Sequence, residues 1–414
     1  MSQETFETRW KRVSDAVALK EPDRVPCVPL FNSFPYLDAG YSMEDVVYDV
    51  EKGKDAIRQY LRRYEPDMGC GYGDQFVGAG KILEKLGVTW LHWAGKPDSP
   101  IDKESIHQYI EKPYLADDDF EEFLDDESGW VMRRLWPRTF EALAPLGKID
   151  IRGFYGYGAM ASTIQFADPA VQQSFKTLGE LGELCAKYYM ELGQFTQEIE
   201  EMGFPNEIAA TVTTAFDSYS DTLRGTLGSL SDLYDRPEEL LRIIERKHKA
   251  SIQSAIGQAS HSNGKFIYIP LHKGMDGFMS DKQYRTFYWD TLLRFVNELI
   301  ERGYTPYIYS EGKYDSRVEC LMDLPKGKTW VHFEDADMKR VKKLLGNVAC
   351  LSGGMRSEVL RSGTAEDVKE AVKRNLDILA PGGGCIFDLS DSLDVCKREN
   401  VEIMLDTVKT YGKY

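Results

Sequence analysis

The carboxyl-terminal third of this chain alternates short β-like runs with helical segments, and this alternation limits the possible fold more than any other feature. A parallel neighbour strand needs a crossover connection, so strands that are separated by helices are expected to pair in parallel. The predicted strands span 266–271, 306–310, 329–333, 348–351 and 385–388, and the predicted helices span 282–302, 316–322, 338–345, 365–379 and 398–411.

Three or four similar units precede this region, with β-like runs at 25–31, 67–72 and 208–215, an extended run at 149–154 and a long helix at 168–202. The chain has neither a Gly-x-Gly-x-x-Gly turn nor a Walker loop, which disfavours an open nucleotide-binding sheet. We therefore predict an α/β fold, a (β/α)8 TIM barrel with an amino-terminal extension, in which residues 1–414 form a single domain. Residues 90–146 are acidic and aromatic and are predicted to form an insertion, or lid, over one mouth.

The charge and the cysteines restrict the partners and the compartment. A net charge of -16 argues against nucleic-acid binding and against anionic membranes. No run approaches the about 18 apolar residues of a membrane span, and the polar segment 1–12 does not resemble a signal peptide. Seven dispersed cysteines without a CxxC pair are typical of reduced thiols, so a cytoplasmic protein is expected.

Ionisable residues and glycines follow two of the predicted strands directly. His272 lies in the run Leu271-His272-Lys273-Gly274, and Glu311 lies between Ser310 and Gly312. The carboxyl ends of barrel strands carry the chemistry of such folds, so both are candidates for catalysis or metal binding. The alternatives are structural: a histidine that bonds to nearby backbone, and a carboxylate that bonds to amides of the following helix.

Further candidates share these strand ends. Tyr309 lies two residues before Glu311 and should face the same way, because strand side chains alternate. His332 and Glu334 repeat that spacing on the next strand, while Asp388 and Asp391 follow the last one, where one of them is expected to be a cap or turn residue. A histidine with two or three carboxylates can bind zinc or can move protons, and the sequence leaves both options open.

The chain resembles the uroporphyrinogen decarboxylase superfamily, which includes cobamide-dependent methyltransferases. The resemblance extends over nearly the whole chain and rests on the order and spacing of separate segments. These are 24–30, 73–77 with 86–88, 282–299, 341–354, and 382–387 with 399–401.

The resemblance implies a (β/α)8 barrel with its site at the carboxyl ends of the strands, and it implies one of two activities. Decarboxylases of the superfamily bind a tetrapyrrole through an aspartate, to which Asp74 corresponds, and bind its carboxylates through arginines after the first strand. This chain has no arginine there. It has aromatic residues instead, and we expect them to line a substrate pocket: Phe31, Phe34 and Tyr36.

The methyltransferase branch binds zinc through a His-x-Cys pair and a later cysteine. At the matching positions this chain has Tyr309-Ser310-Glu311 and Asp391, so oxygen atoms replace both thiolates. The metal ligands suggested by the resemblance are therefore His272, Glu311 and Asp391. Such a site suits a donor whose methyl group leaves from oxygen or nitrogen, because the departing atom then needs a Lewis or general acid.

The expected function is transfer of a methyl group from a small methylated donor, a methoxy-aromatic, to the corrinoid of a separate carrier protein. The expected catalytic residues are Glu311, Tyr309, His272 and Asp74, with zinc as the candidate metal. A homodimer is compatible with the sequence. The alternatives are a cofactor-free decarboxylase of uroporphyrinogen or a smaller acid, and a binding barrel without enzymatic activity.

Overall fold

The computed structural model describes residues 4–69, 71–73 and 75–414. Five consecutive strands, β3 to β7, form one parallel sheet in chain order, and β1 and β2 form a small antiparallel pair. The strands are β1 (Leu91–His92), β2 (Gln108–Tyr109), β3 (Ile208–Thr211), β4 (Phe266–Leu271), β5 (Thr305–Lys313), β6 (Trp330–Asp335) and β7 (Cys350–Gly353).

Three short segments outside the named strands continue the sheet around the barrel. Segment 384–389 bonds to β7, segment 25–31 bonds to 384–389, and the bend at 67–69 joins 25–31 to Pro205, which lies shortly before β3. The closing backbone bonds are Ile386 N to Leu351 O (3.0 Å), Phe387 N to Pro26 O (2.8 Å), Asp67 N to Cys27 O (2.8 Å) and Gly69 N to Pro205 O (2.7 Å). The ring has eight members, so the predicted (β/α)8 barrel is confirmed.

Helices surround this ring, and three of them have the predicted bounds. The helices are α1 (Phe6–Val17), α2 (Phe34–Asp38), α3 (Met43–Tyr48), α4 (Val50–Tyr64), α5 (Gly80–Leu86), α6 (Phe120–Asp125), α7 (Glu127–Trp130), α8 (Trp136–Thr139), α9 (Ala159–Ser162), α10 (Pro169–Glu201), α11 (Ala215–Tyr219), α12 (Gly225–Asp235), α13 (Pro237–Ala259), α14 (Asp281–Gln283), α15 (Asp290–Glu301), α16 (Met338–Leu345), α17 (Glu358–Ser362), α18 (Ala365–Leu379) and α19 (Arg398–Tyr411). The exact agreement concerns α16, α18 and α19. Asp337 caps α16 and Thr364 caps α18, and all three helices have amphipathic spacing.

Two predicted elements are wrong. The predicted helix 316–322 is a series of turns that ends in the 3-10 helix Cys320–Asp323, because the buried guanidinium of Arg317 bonds to backbone oxygens of the preceding loop. The predicted extended run 149–154 forms turns, such as the bond from Phe154 N to Ile151 O at 2.9 Å. The ring already has eight members, so this run has no strand to pair with.

The amino-terminal extension closes one end of the barrel. Helix α1 packs Trp10 and Val13 against the inward-facing side chains of the strands, and the Trp10 ring meets the Phe266 ring edge-on at 5.7 Å. The fully buried carboxylate of Asp67 accepts hydrogen bonds from Arg12, Arg24 and the amide of Cys27. These ionic bonds fix the first barrel segment to α1.

Residues 90–146 pack at the opposite end of the barrel from α1. The amide of Leu115 donates to Leu223 O at 2.7 Å, and Arg224 pairs with Asp117 at 2.5 Å. Both partners belong to the segment that follows β3, so the insertion packs at the carboxyl end of that strand.

None of the helices in residues 4–69, 71–73 and 75–414 has the length and apolar character needed to cross a membrane.

Candidate active site

The alternation of side chains along the strands directs several polar groups to the inside of the barrel. Along β5, Tyr307, Tyr309 and Glu311 share one face, and Tyr307 and Tyr309 are buried in the barrel interior. By the strand register, His272 is the inward-facing residue directly after β4, and Glu334 is the last inward-facing residue of β6. His272, Glu311 and Glu334 therefore form the outermost inward-facing layer, at the mouth where the strands end.

His272 lies between two carboxylates. Its Nδ1 bonds to Asp221 Oδ2 at 2.5 Å, and its Nε2 lies 3.5 Å from Glu311 Oε1. Burial alone would lower the pKa of His272, but the bond to Asp221, the contact with Glu311 and the charge of Asp217 together raise it to about 11. The imidazole is therefore a cation at neutral pH. The imidazole thus contacts carboxylates and not the nearby backbone, and the catalytic roles of His272 and Glu311 stay a prediction.

Asp217 fixes the backbone that presents His272. Its fully buried carboxylate accepts hydrogen bonds from the amides of His272 (3.2 Å) and Lys273 (2.8 Å), from Thr214 Oγ1 (2.9 Å) and from the hydroxyl of Tyr288. Burial raises the pKa of Asp217, although the nearby positive charge of His272 opposes this. Burial also raises the pKa of Tyr288 well above its ordinary value, so this phenol remains a proton donor.

A second polar layer lies deeper in the barrel. The rings of Tyr309 and His332 stack at 4.0 Å with an angle of 5°. His332 Nε2 bonds to Ser390 O at 3.1 Å, and its Nδ1 lies 3.3 Å from the buried carboxylate of Asp388. Tyr309 is 5 % exposed and burial raises its pKa well above the usual value. Tyr309 thus supports the mouth layer from below, and its contact with a substrate stays a prediction.

A cavity of about 820 Å³ opens beside this cluster. Met275, which follows His272, and Gly312, which follows Glu311, belong to its wall, and Glu334 accepts a hydrogen bond from the Gly312 amide. Gly312 has φ +74°, and a Cβ there would lie 2.6 Å from the Met275 side chain. Other polar wall residues come from the loop and helix α17 after β7 and from the loop after segment 384–389: Arg356, Ser357, Arg361, Ser390, Asp391 and Asp394.

The remaining predicted site residues lie elsewhere or have other partners. Asp391 lines the cavity, but its carboxylate accepts bonds from the amide and the hydroxyl of Ser357, which makes it the predicted turn residue. Phe31, Phe34 and Tyr36 are at most 2 % exposed and pack in the core, where the Phe31 ring lies 4.9 Å from that of Tyr60. Their contact with a substrate stays a prediction, and Asp74 lies outside the described residues.

Comparison with known proteins places the chain in a family. Residues 187–411, more than half of the chain, match the family model for uroporphyrinogen decarboxylase (URO-D). The chain belongs to the uroporphyrinogen decarboxylase family. A methyltransferase from Methanosarcina mazei has a similar structure, with a TM-score of 0.62 and 14 % sequence identity over 99 % of each chain. At this identity the similarity concerns the fold, and a search of curated protein sequences found no match.

This member of the uroporphyrinogen decarboxylase family does not present a ready zinc site. Among residues 4–69, 71–73 and 75–414, no three His, Cys, Asp or Glu side chains are grouped so that they could hold a metal ion. The carboxylate of Asp391 accepts hydrogen bonds from the amide and the hydroxyl of Ser357. His272, Glu311 and Asp391 therefore do not form a grouped set of zinc ligands, because Asp391 is directed to Ser357.

Sequence reasoning missed Asp217 and Asp221, the two carboxylates that hold His272 in position. A signal was present, because both follow the β-branched run at 208–215, and they are four residues apart on adjoining helical segments. Thr214 caps α11 through the Asp217 amide. A search for ionisable residues after every predicted strand would therefore also have selected Asp217 and Asp221, which follow β3.

Proposed function

We propose that this protein transfers a methyl group from a small methoxy-aromatic donor to the Co(I) corrinoid of a separate carrier protein. The observation that carries the proposal is the cationic imidazole of His272, held between Asp221 and Glu311 beside the cavity. A methyl ether resists cleavage because its oxygen leaves as an anion. A proton donor fixed at that oxygen lowers the barrier.

The reaction balances with the groups at hand. The corrinoid supplies the electron pair for the new cobalt–carbon bond, and the carbon–oxygen pair stays on the departing oxygen. The proton on Nε2 of His272 then moves to this oxygen, which releases a phenol. The pKa of His272, about 11, is close to the value of about 10 for a phenol such as tyrosine. The proton transfer is therefore nearly balanced in energy.

The other residues of the site act through His272. Asp221 holds the ring by its Nδ1 and leaves Nε2 directed towards Glu311. Glu311, whose side chain is 42 % exposed, stabilises the positive charge and borders the position that a donor oxygen would take. Asp217 holds the backbone of the turn. The arrangement thus favours a cation with one accessible proton.

The charge of the mouth also bears on the choice between the two activities expected from the sequence. Asp221 and Glu311 flank the imidazole of His272, and the fully buried Asp217 adds its charge from below. Lys313, Arg356 and Arg361 line the cavity beside this cluster. The part of the mouth next to the proposed proton donor is therefore acidic, and that part favours a neutral methyl ether over a carboxylate.

The test is spectroscopic. The purified protein is mixed with a reduced corrinoid carrier and a panel of methoxy-aromatics and methylamines, and the conversion of Co(I) to methyl-Co(III) is followed by absorbance. We expect conversion with at least one methoxy-aromatic. Turnover of uroporphyrinogen without corrinoid methylation from any donor would overturn the proposal in favour of a decarboxylase.

A further inference from the structure

Two arginines in the wall of the cavity are available to a ligand. Arg356 lies three residues after β7, at the same mouth of the barrel as His272, and Arg361 lies on α17. Both side chains are exposed to solvent. In the part of the chain that the structure describes, neither guanidinium takes part in an ion pair or a hydrogen bond. A guanidinium is a planar set of N–H donors that matches the two oxygens of a carboxylate.

The carboxylates of the same wall do not neutralise these arginines. Asp335 and Glu358 are exposed, and these two described side chains form no ion pair with either arginine. The remaining cation of the wall, Lys313, pairs with Asp315 at 3.5 Å. The other wall carboxylates accept hydrogen bonds from the protein itself: Glu334 from the Gly312 amide, Asp391 from the Ser357 amide and hydroxyl, and Asp394 from the Ser33 amide and hydroxyl.

The two sides of the cavity differ in their chemistry. Gly312 belongs to β5 and lies beside the cluster of His272 and Glu311, whereas Arg356 follows β7. Strand β6 lies between β5 and β7 in the sheet, so the two arginines stand apart from the proposed proton donor. The wall also includes Val395, which is 54 % exposed and offers an apolar contact. The volume of about 820 Å³ is typical of a site for a small molecule.

A donor with a neutral ether at one end and an anion at the other fits both sides of the cavity. Its ether oxygen would lie at the acidic side, next to His272, where a second anion is disfavoured. Its anion would lie at the arginines. A carboxylate on an aromatic ring is the simplest such anion, because it is planar and can accept two parallel hydrogen bonds from one guanidinium.

We propose that Arg356 and Arg361 bind the carboxylate of the methyl donor, which is therefore a methoxybenzoate and not a neutral aryl ether. This inference names the substrate class of the proposed function and rests on it. The net charge of -16 opposes the approach of an anion. Salt screens exposed charges beyond about 8 Å, however, so the arginines that contact the ligand decide its binding.

The test of binding needs neither a carrier protein nor methyl transfer. The full chain is titrated in a calorimeter with benzoate and with benzamide, which has the same shape but no charge. We expect benzoate to bind at least about 10-fold more tightly than benzamide. Arg356→Gln and Arg361→Gln should each weaken benzoate binding by about 10-fold, because each removes a hydrogen bond to a charged group. Both variants should leave the binding of benzamide unchanged.

The matched control is Arg374→Gln. Arg374 is also exposed, and it lines a smaller neighbouring cavity together with Arg356 but not the cavity at the mouth. Its replacement should leave benzoate binding as in wild type, since surface substitutions of this kind rarely affect the fold. A loss as large as that of Arg356→Gln would place the anion elsewhere and overturn the proposal. So would inorganic phosphate that displaces benzoate at an equal concentration, because the site would then accept any small anion.

Turnover separates this inference from the proposed function. With a corrinoid carrier, we expect methoxybenzoates to react faster than the corresponding methoxybenzamides at low donor concentration, and Arg356→Gln to raise KM about 10-fold with kcat retained. Equal binding of benzoate and benzamide to wild type would overturn the inference, while methylation from neutral ethers would leave the proposed function standing. Benzoate binding through Arg356 without methylation from any donor would overturn both, because the carboxylate would then belong to a different substrate.

Discussion

His272 and Asp221 are 51 residues apart in the chain, and a 2.5 Å hydrogen bond joins their side chains across the mouth of the barrel. The two residues follow neighbouring strands, β4 and β3, so the parallel pairing of these strands brings them together. Glu311 follows the next strand and approaches the other ring nitrogen. Residues at the carboxyl ends of three consecutive strands therefore hold the imidazolium of His272 in one position.

Replacing Glu311 tests whether its carboxylate acts in catalysis. Glu311→Gln preserves shape but removes the charge beside Nε2, so we expect a loss of at least about 100-fold in kcat and a change in unfolding free energy below about 1 kcal/mol. Glu298→Gln is the matched control, because Glu298 also faces a histidine, His248, at 3.2 Å and its side chain is 40 % exposed. A variant that loses stability but retains activity per folded molecule would show that Glu311 is structural.

The protonation of His272 has a direct readout by NMR. Its pKa is raised from 6.5 to about 11 in the folded protein, so the stabilisation from its charge is complete below pH 6.5 and is lost as the pH rises through 11. We expect the imidazole signal, assigned by its loss in His272→Gln, to remain that of the cation from pH 6 to 9. In Asp221→Asn the pKa should fall. A wild-type signal that titrates near 6.5 would contradict this account of the site.

The variant Gly312→Ala tests the close packing of Gly312 against Met275 in the cavity wall. Gly312→Ala places a Cβ 2.6 Å from Met275 at a φ of +74°. Gly303 has φ +87° with nothing near its Cβ position, so Gly303→Ala reports the backbone cost alone, about 1 kcal/mol. We expect Gly312→Ala to cost at least about 1 kcal/mol more in chemical denaturation. Equal costs would mean that Met275 moves away freely.

Asp391 is expected to act through Ser357. Its carboxylate accepts bonds from the Ser357 amide and hydroxyl. Asp391→Asn and Ser357→Ala should each destabilise the protein by about 1 kcal/mol, and the double variant should cost less than the sum because both remove one contact. Strict additivity would show that the residues act separately. The metal content of wild type and Asp391→Asn, measured in parallel, tests the ligand role that the sequence suggested.

The barrel could be predicted because, in the carboxyl-terminal third, the apolar spacing of each strand and each helix is visible within a short stretch of sequence. Helices α16, α18 and α19 begin and end where their apolar spacing does. The predicted run 316–322 failed as a helix because Arg317 bonds to a loop that is distant in sequence. Segment 384–389 pairs through isolated bridges to Cys27, Leu351 and Met355 and not through a continuous ladder.

The site was predicted in part for the same reason. His272 and Glu311 were found because each follows a strand that the sequence makes visible. Asp217 and Asp221 were harder to select, because the strand before them, β3, has only four residues. The helix that carries them is also irregular, since it widens to a π-helix at Ser220–Arg224. The burial of Phe31 and Tyr36 could not be predicted, because it depends on how Tyr60 and the backbone of Tyr72 surround them.

The most direct test of the central claim is the single-turnover rate of corrinoid methylation in two histidine variants. His272→Gln removes the proposed proton donor, whereas His248→Gln removes a histidine that pairs with Glu298 between α13 and α15, outside the barrel mouth. With an active methoxy-aromatic donor, we predict a loss of at least about 100-fold for His272→Gln and a rate close to wild type for His248→Gln. A His272→Gln variant that methylates the corrinoid at the wild-type rate would contradict the account.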